Sequence, residues 1–257
     1  MRVKMLKTFL CVSLLISSAV AIEITGPADA VNIAGKQRMY TQRMLKDYAM
    51  IGMNNTFGDP AQDLKKTMDA FSEHLHALKT YAKNGETKKS LEEVEVLWKP
   101  LEKTLQEPPG IQKVTSLQKD LEGLLKASDK TTKLFAKETE KTSGEIVNIA
   151  GRQRMLSQRM ASLYMLKVWG VKDPEFKTKL DETLKLFKTS LKTLEKSSLN
   201  NEKINTLLAK VKRSFIFFEM MNRSKSKFVP TLIYKKSNDI LKDMNSVTQL
   251  YVSSESK

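Results

Sequence analysis

Four arginines carry most of the chemistry this sequence offers. Arg38 and Arg43 lie in the run VNIAGKQRMYTQRM, residues 31–44, and Arg154 and Arg159 lie in its near copy VNIAGRQRMLSQRM, residues 147–160. The copies differ only at Lys36/Arg152, Tyr40/Leu156 and Thr41/Ser157. A guanidinium presents five donors in a planar fork, suited to a carboxylate or a small oxyanion. No Asp or Glu falls between Val31 and Lys46, or between Val147 and Lys167. Two readings follow: the arginines are solvated or paired with acids on other helices, or the missing negative charge is a ligand.

Other chemistry is poorly provided for. His74 and His76 are the only histidines; two residues apart on a helix they point about 200° apart, cannot share a metal, and are expected to be solvated. No serine or threonine has a histidine base in a matching context, and no glycine-rich phosphate loop is present. Glu92, Glu93 and Glu95 beside Trp98 read as a charged face flanking an apolar stripe. Met39, Met44, Met155 and Met160 read as deformable filler of a core or helix seam. The expectation is a protein that is not an enzyme and has no cofactor and no metal.

The segment that holds the first run must be helical. On a wheel of about 100° per residue, Asn32, Gly35, Met39 and Arg43 share one side, Arg38 and Gln42 another, and Ile33 and Met44 a third. Such a helix is neither cleanly amphipathic nor uniformly polar, so it is expected to be covered on more than one side. Gly35 and Ala34 allow a second helix, from the same chain or a partner, to approach closely. The glycine costs about 1 kcal/mol of helix propensity relative to alanine.

Sliding the 257-residue chain against itself by 116 positions superposes more than the motif. Leu64, Phe71, Leu75 and Leu78 fall on Leu180, Phe187, Leu191 and Leu194, while Leu125, Thr132, Leu134 and Phe135 fall on Leu241, Thr248, Leu250 and Tyr251. Two modules result, residues 22–142 and 143–257. Each divides into four helices. In the first, Pro27, Asp59-Pro60, Asn84-Gly85 and Pro108-Pro109-Gly110 punctuate the chain, and Leu91, Val94, Leu97, Trp98, Leu101 and Leu105 form the stripe of the third helix. The fourth is expected to begin at about Ile111. No proline interrupts 111–169, so the last helix of one module is expected to continue into the first of the next, a rod of about 90 Å at 1.5 Å per residue. The expected fold is all-α: two tandem antiparallel four-helix bundles joined end to end by a long continuous helix.

Residues 1–21 read as a cleaved export signal, with Arg2, Lys4 and Lys7 before a short apolar stretch and Ala19-Val20-Ala21 for cleavage. The apolar stretch of about 13 residues is short of the roughly 20 a spanning helix needs. A periplasmic location is therefore expected; retention of the segment would leave an inner-membrane tether. Cleavage would remove the only cysteine, Cys11, and lower the formal net charge from +15 to +12. A basic surface favours anionic neighbours. Nucleic acid is not an expected partner, because no aromatic-basic surface motif accompanies the lysines.

The motif N-I-A-G-[KR]-Q-R-M-x-[TS]-Q-R-M resembles the PilJ-type sensor domain of type IV pili methyl-accepting chemotaxis transducers, which is similar to the nitrate/nitrite-sensing domain of certain histidine kinases. The resemblance covers both modules. It implies a four-helix bundle that dimerises through its first helix, with the arginine before the first methionine facing an anion at the seam. That arginine is Arg38 here and Arg154 in the second copy; the preceding glycine is Gly35 and Gly151, and the asparagine opening the motif is Asn32 and Asn148. With Lys36, Arg152, Arg43 and Arg159 beside them these residues form the candidate anion site, and Gly35 and Gly151 the candidate close-packing positions. The implied partners are a small anion such as nitrate or nitrite, a membrane chemoreceptor, kinase or pilus assembly, and a second copy of the chain. A helical structural protein that self-associates through its motif helices is the alternative.

Overall fold

The computed structural model describes residues 22–139, 142–223 and 229–255. The export-signal expectation, residues 1–21, lies outside them. Among the described residues the chain is all-α, with helices α1 Pro27–Gly52, α2 Pro60–Tyr81, α3 Gly85–Gln106, α4 Val114–Lys137, α5 Thr142–Trp169, α6 Phe176–Glu195, α7 Glu202–Arg223 and α8 Pro230–Glu255. None is long and apolar enough to cross a membrane.

Local sequence accounts for the boundaries. Pro27 opens α1 where a missing N–H costs nothing. Asp59, at φ 50°, caps α2 by accepting from Gln62 N at 3.2 Å, with Pro60 behind it. Asn84 caps α3 by accepting from Glu86 N at 2.8 Å. The fourth helix starts at Val114 rather than Ile111, whose side chain is exposed, and Leu97 lies on the solvent side of its stripe.

Contacts between side chains fix the directions. Gln37 reaches Phe71 and Arg43 reaches Asp63, so α2 runs antiparallel to α1. Trp98 with Ser72 and Ser90 with Thr131 set α3 against α2 and α4 in the same way. The second set repeats this: Gln153 meets Phe187, Lys188 meets Glu219, and Arg154 meets Asn245. Each set is an up-down-up-down bundle. Phe71 against Trp98 and Phe187 against Phe215, both with ring centroids 4.4 Å apart, centre the two cores; each fully buried aromatic is worth about 1.5–3 kcal/mol of apolar transfer.

The join differs from the expected rod. Helix α4 stops at Lys137, where Glu138 N donates to both Leu134 O and Phe135 O, and Thr139 Oγ1 donates to Ala136 O at 2.8 Å. Gly144 is needed at this reversal, because a Cβ there would stand 1.9 Å from Thr139 Oγ1. After it α5 lies beside α1 rather than beyond α4. Gly35 faces Gly151, Gln42 faces Ser162 and Tyr48 faces Trp169, so the two motif helices run parallel over their whole length. The physical reason is burial: α1 is covered on nearly every side by α2, α4 and α5, which an end-to-end stack would leave half exposed. One apolar core runs through both bundles.

Candidate anion site at the motif helix seam

Gly35 and Gly151 face each other where α1 and α5 cross. A Cβ built on Gly35 would lie 3.3 Å from Arg38 Nη2, 3.4 Å from Arg154 Nη2 and 3.9 Å from Gly151 Cα; one built on Gly151 would lie 3.2 Å from both Nη2 atoms. The missing side chains are thus the space in which both guanidinium groups sit. Helical side chains lean toward the N-terminus of their own helix, and each arginine crosses to the other helix one turn back. Arg38 Nη1 donates to Asn148 Oδ1 at 2.9 Å and Nη2 to Asn148 O at 3.2 Å; Arg154 Nη1 donates to Asn32 Oδ1 at 2.9 Å and Nη2 to Asn32 O at 3.2 Å. The asparagines that open the motif are therefore acceptors for the opposite arginine.

Both arginines are buried, Arg38 at 0% and Arg154 at 1% exposure. Burying a guanidinium is expensive unless a negative charge accompanies it. For Arg38 that charge is Asp129 of α4, 2.6 Å from Nη1 and also bound by Lys133. Burial alone would raise the Asp129 carboxyl, but Arg38 and Lys133 hold it below the usual carboxylate range. Arg154 receives instead Asn245 Oδ1 at 3.1 Å. Among the described residues its hydrogen-bond partners are all neutral oxygens, and its Nε has none. Burial, with Arg38 adding to it, brings the Arg154 guanidinium down to about 9.

A pocket of about 440 Å³ opens beside Arg154. Lys36, Arg43, Tyr40, Asn32 and Asn245 line it with Arg154, and no carboxylate does. Lys36 is half-buried and makes no ion pair among the described residues; burial and the Arg154 charge lower its pKa. His74 stands behind this wall. It is buried rather than solvated, against the Tyr40 ring at 5.4 Å, and burial with Lys36 and Arg154 nearby pushes its imidazole down to about 3. His76, on the outer face of α2, is exposed.

The other candidate cations divide differently. Arg43 is tied to Asp63 of α2 in a two-pronged pair, with Nε to Oδ2 at 3.0 Å, and Arg159 to Glu122 of α4 at 3.0 Å. Arg152 is partly exposed, and its charge acts on Arg38 from a distance. Pairing with acids on other helices thus holds for Arg38, Arg43 and Arg159, and Arg154 stands apart.

Asp129 and Asn245 were not among the candidate residues, although the offset of 116 that aligns the two modules places one on the other. Gln37 and Gln153 were missed as well: each donates from Nε2 to the backbone oxygen of a core phenylalanine on the next helix, Phe71 at 2.9 Å and Phe187 at 3.0 Å. Their conservation between the two copies is thus explained by bundle assembly.

No curated protein and no solved structure matches the chain. A family comparison does match, over residues 21–129 and 136–215, and the family is the PilJ domain, described as the N-terminal part of type IV pili methyl-accepting chemotaxis transducers. Both matched segments contain a motif helix and its arginine. The chain, with its paired motif helices and two helical bundles, belongs to the PilJ family of chemotaxis-transducer sensory domains.

Proposed function

We propose that this protein is an exported, non-enzymatic sensor that binds a small anion such as nitrate or nitrite at the seam of its two motif helices and reports occupancy to a membrane chemotaxis or pilus-related partner. The observation that carries the reading is Arg154, a fully buried guanidinium held, among the described residues, by neutral oxygens alone beside a cation-lined pocket. An anion there would supply the charge that burial demands. It would also tighten α8 and α1 around the seam, favouring one arrangement of the parallel pair over another. In this reading residues 22–142 and 143–257 are two modules whose first helices do within one chain what two copies of a single module would do together. The two motif helices are largely buried against each other, which favours this reading over self-association through them, the structural alternative.

The test is a titration of the purified chain with sodium nitrate and sodium nitrite in low-salt buffer, read by calorimetry and thermal shift. Saturable binding with a rise in Tm is expected, lost in Arg154→Gln. Absence of any stabilisation at millimolar anion, or the same stabilisation in Arg154→Gln, counts against anion sensing.

A further inference from the structure

The two arginines are related by the repeat, yet their charge partners are not. Position 129 on α4 and position 245 on α8 correspond at the same offset of 116 residues. Each reaches Nη1 of its own bundle's motif arginine, Asp129 at 2.6 Å and Asn245 at 3.1 Å. The remaining acceptors are the same on both sides, an asparagine side chain and its backbone oxygen. Among the hydrogen-bond acceptors of the two arginines, the difference in the described residues is therefore one carboxylate, present at the first and absent from the second.

From this asymmetry we infer that the chain takes one anion rather than two: Asp129 acts as a built-in counter-ion that closes the Arg38 position, and the soluble anion is held by Arg154, Lys36 and Asn245. The inference rests on the anion-sensing reading and makes it specific. Three features support the choice of side. The pocket opens on Arg154 and is lined by no carboxylate. Its second cation, Lys36, lacks an ion-pair partner among the described residues, whereas Arg43 at the same wall is already neutralised by Asp63. Where Arg38 meets the Asp129 carboxylate, Arg154 meets the Asn245 amide, whose NH2 group can donate to an oxyanion while its Oδ1 accepts from Arg154. A guanidinium, an ammonium and an amide around one point suit a small monovalent oxyanion. At the Arg38 position a second anion would lie against the Asp129 carboxylate, and like charges at that distance repel strongly in a water-poor seam.

The full chain, titrated with sodium nitrate by calorimetry, reads the inference directly. Wild type is expected to bind one equivalent. Asn245→Asp is expected to weaken binding at least tenfold while raising the Tm in the absence of nitrate, since it gives Arg154 the resident charge that Arg38 already has. Asp129→Asn is expected to raise the stoichiometry to two. The position is read independently by NMR: nitrate should shift the His74 imidazole signals, which sense Lys36 and Arg154, and leave those of His76 unmoved. Two equivalents in wild type, undiminished binding in Asn245→Asp, or an unmoved His74 overturns the single-site assignment while anion sensing stands. No binding in wild type and none in Asp129→Asn instead removes anion sensing itself. If Asp129→Asn does not fold, the Asn245→Asp titration and the His74 signals still decide the matter.

Discussion

Arg154 on α5 and Asn32 on α1 meet across the seam through both the side chain and the backbone of the asparagine, at 2.9 and 3.2 Å. Removing the side-chain acceptor leaves a buried, charged donor short of a partner. Asn32→Ala should therefore destabilise the protein by about 2 kcal/mol, a fall in Tm of about 4–8 °C for a chain of this size. Thermal unfolding measures it, and Asn148→Ala should cost less, because Arg38 keeps Asp129.

Gly35 and Gly151 face each other between α1 and α5, against both guanidinium groups. Gly151→Val places branched carbon where both guanidinium groups lie, 3.2 Å from a Cβ, and should destabilise by about 1–3 kcal/mol. Gly123, inside α4 with nothing within 4 Å of a Cβ, provides the contrast. Gly123→Ala should stabilise by about 0.5–1 kcal/mol through helix propensity alone. Urea denaturation of the two variants should move the midpoint in opposite directions.

His74 imposes an acid limit on stability. Its folded-state pKa is pushed down to about 3, against an unfolded value near 6.5. Between these values the unfolded chain binds a proton that the folded chain refuses, so stability present above pH 6.5 is lost as pH falls, by about 2 kcal/mol at pH 5. In His74→Gln the difference in urea-unfolding free energy between pH 7 and pH 5 should shrink by that amount. An unchanged difference would mean that His74 titrates normally in the folded protein.

Asp47 acts with the opposite sign. It is fully buried on α1 beside Lys46 Nζ at 3.4 Å, and burial pushes its carboxyl up to about 8, only partly countered by Lys46. Here the folded chain holds a proton that the unfolded chain has released, so this group's contribution declines as pH rises from about 4 to about 8. Asp47→Asn should therefore gain in stability relative to wild type as pH is raised from 5 to 8. A relative stability that does not change over that interval would contradict the assignment.

Much of this architecture was legible beforehand. The proline and asparagine boundaries, the apolar stripes and the 116-residue repeat predicted eight helical segments and their order, the fourth and fifth being expected as one rod, because caps and periodicity are local properties of the chain. The facing of Gly35 and Gly151 fits the close-packing role we propose for them, since a glycine kept at the same place in two helical copies serves an approach rather than a propensity. His74 was misread: its burial depends on Tyr40 and on the wall formed by α1, and nothing in the spacing of two histidines carries that information.

What the sequence by itself determined was the set of parts: two similar groups of four helices, and motif arginines with no acid between Val31 and Lys46 or between Val147 and Lys167. Only the tertiary structure decided how those parts pair. A proline-free stretch permits a continuous rod, but the α4–α5 reversal buries both motif helices against each other, and that gain depends on faces far apart in the chain. The same holds for charge. Whether a buried arginine is neutralised depends on the residue 91 positions away that the bundle brings to it: Asp129 for Arg38, and Asn245 for Arg154.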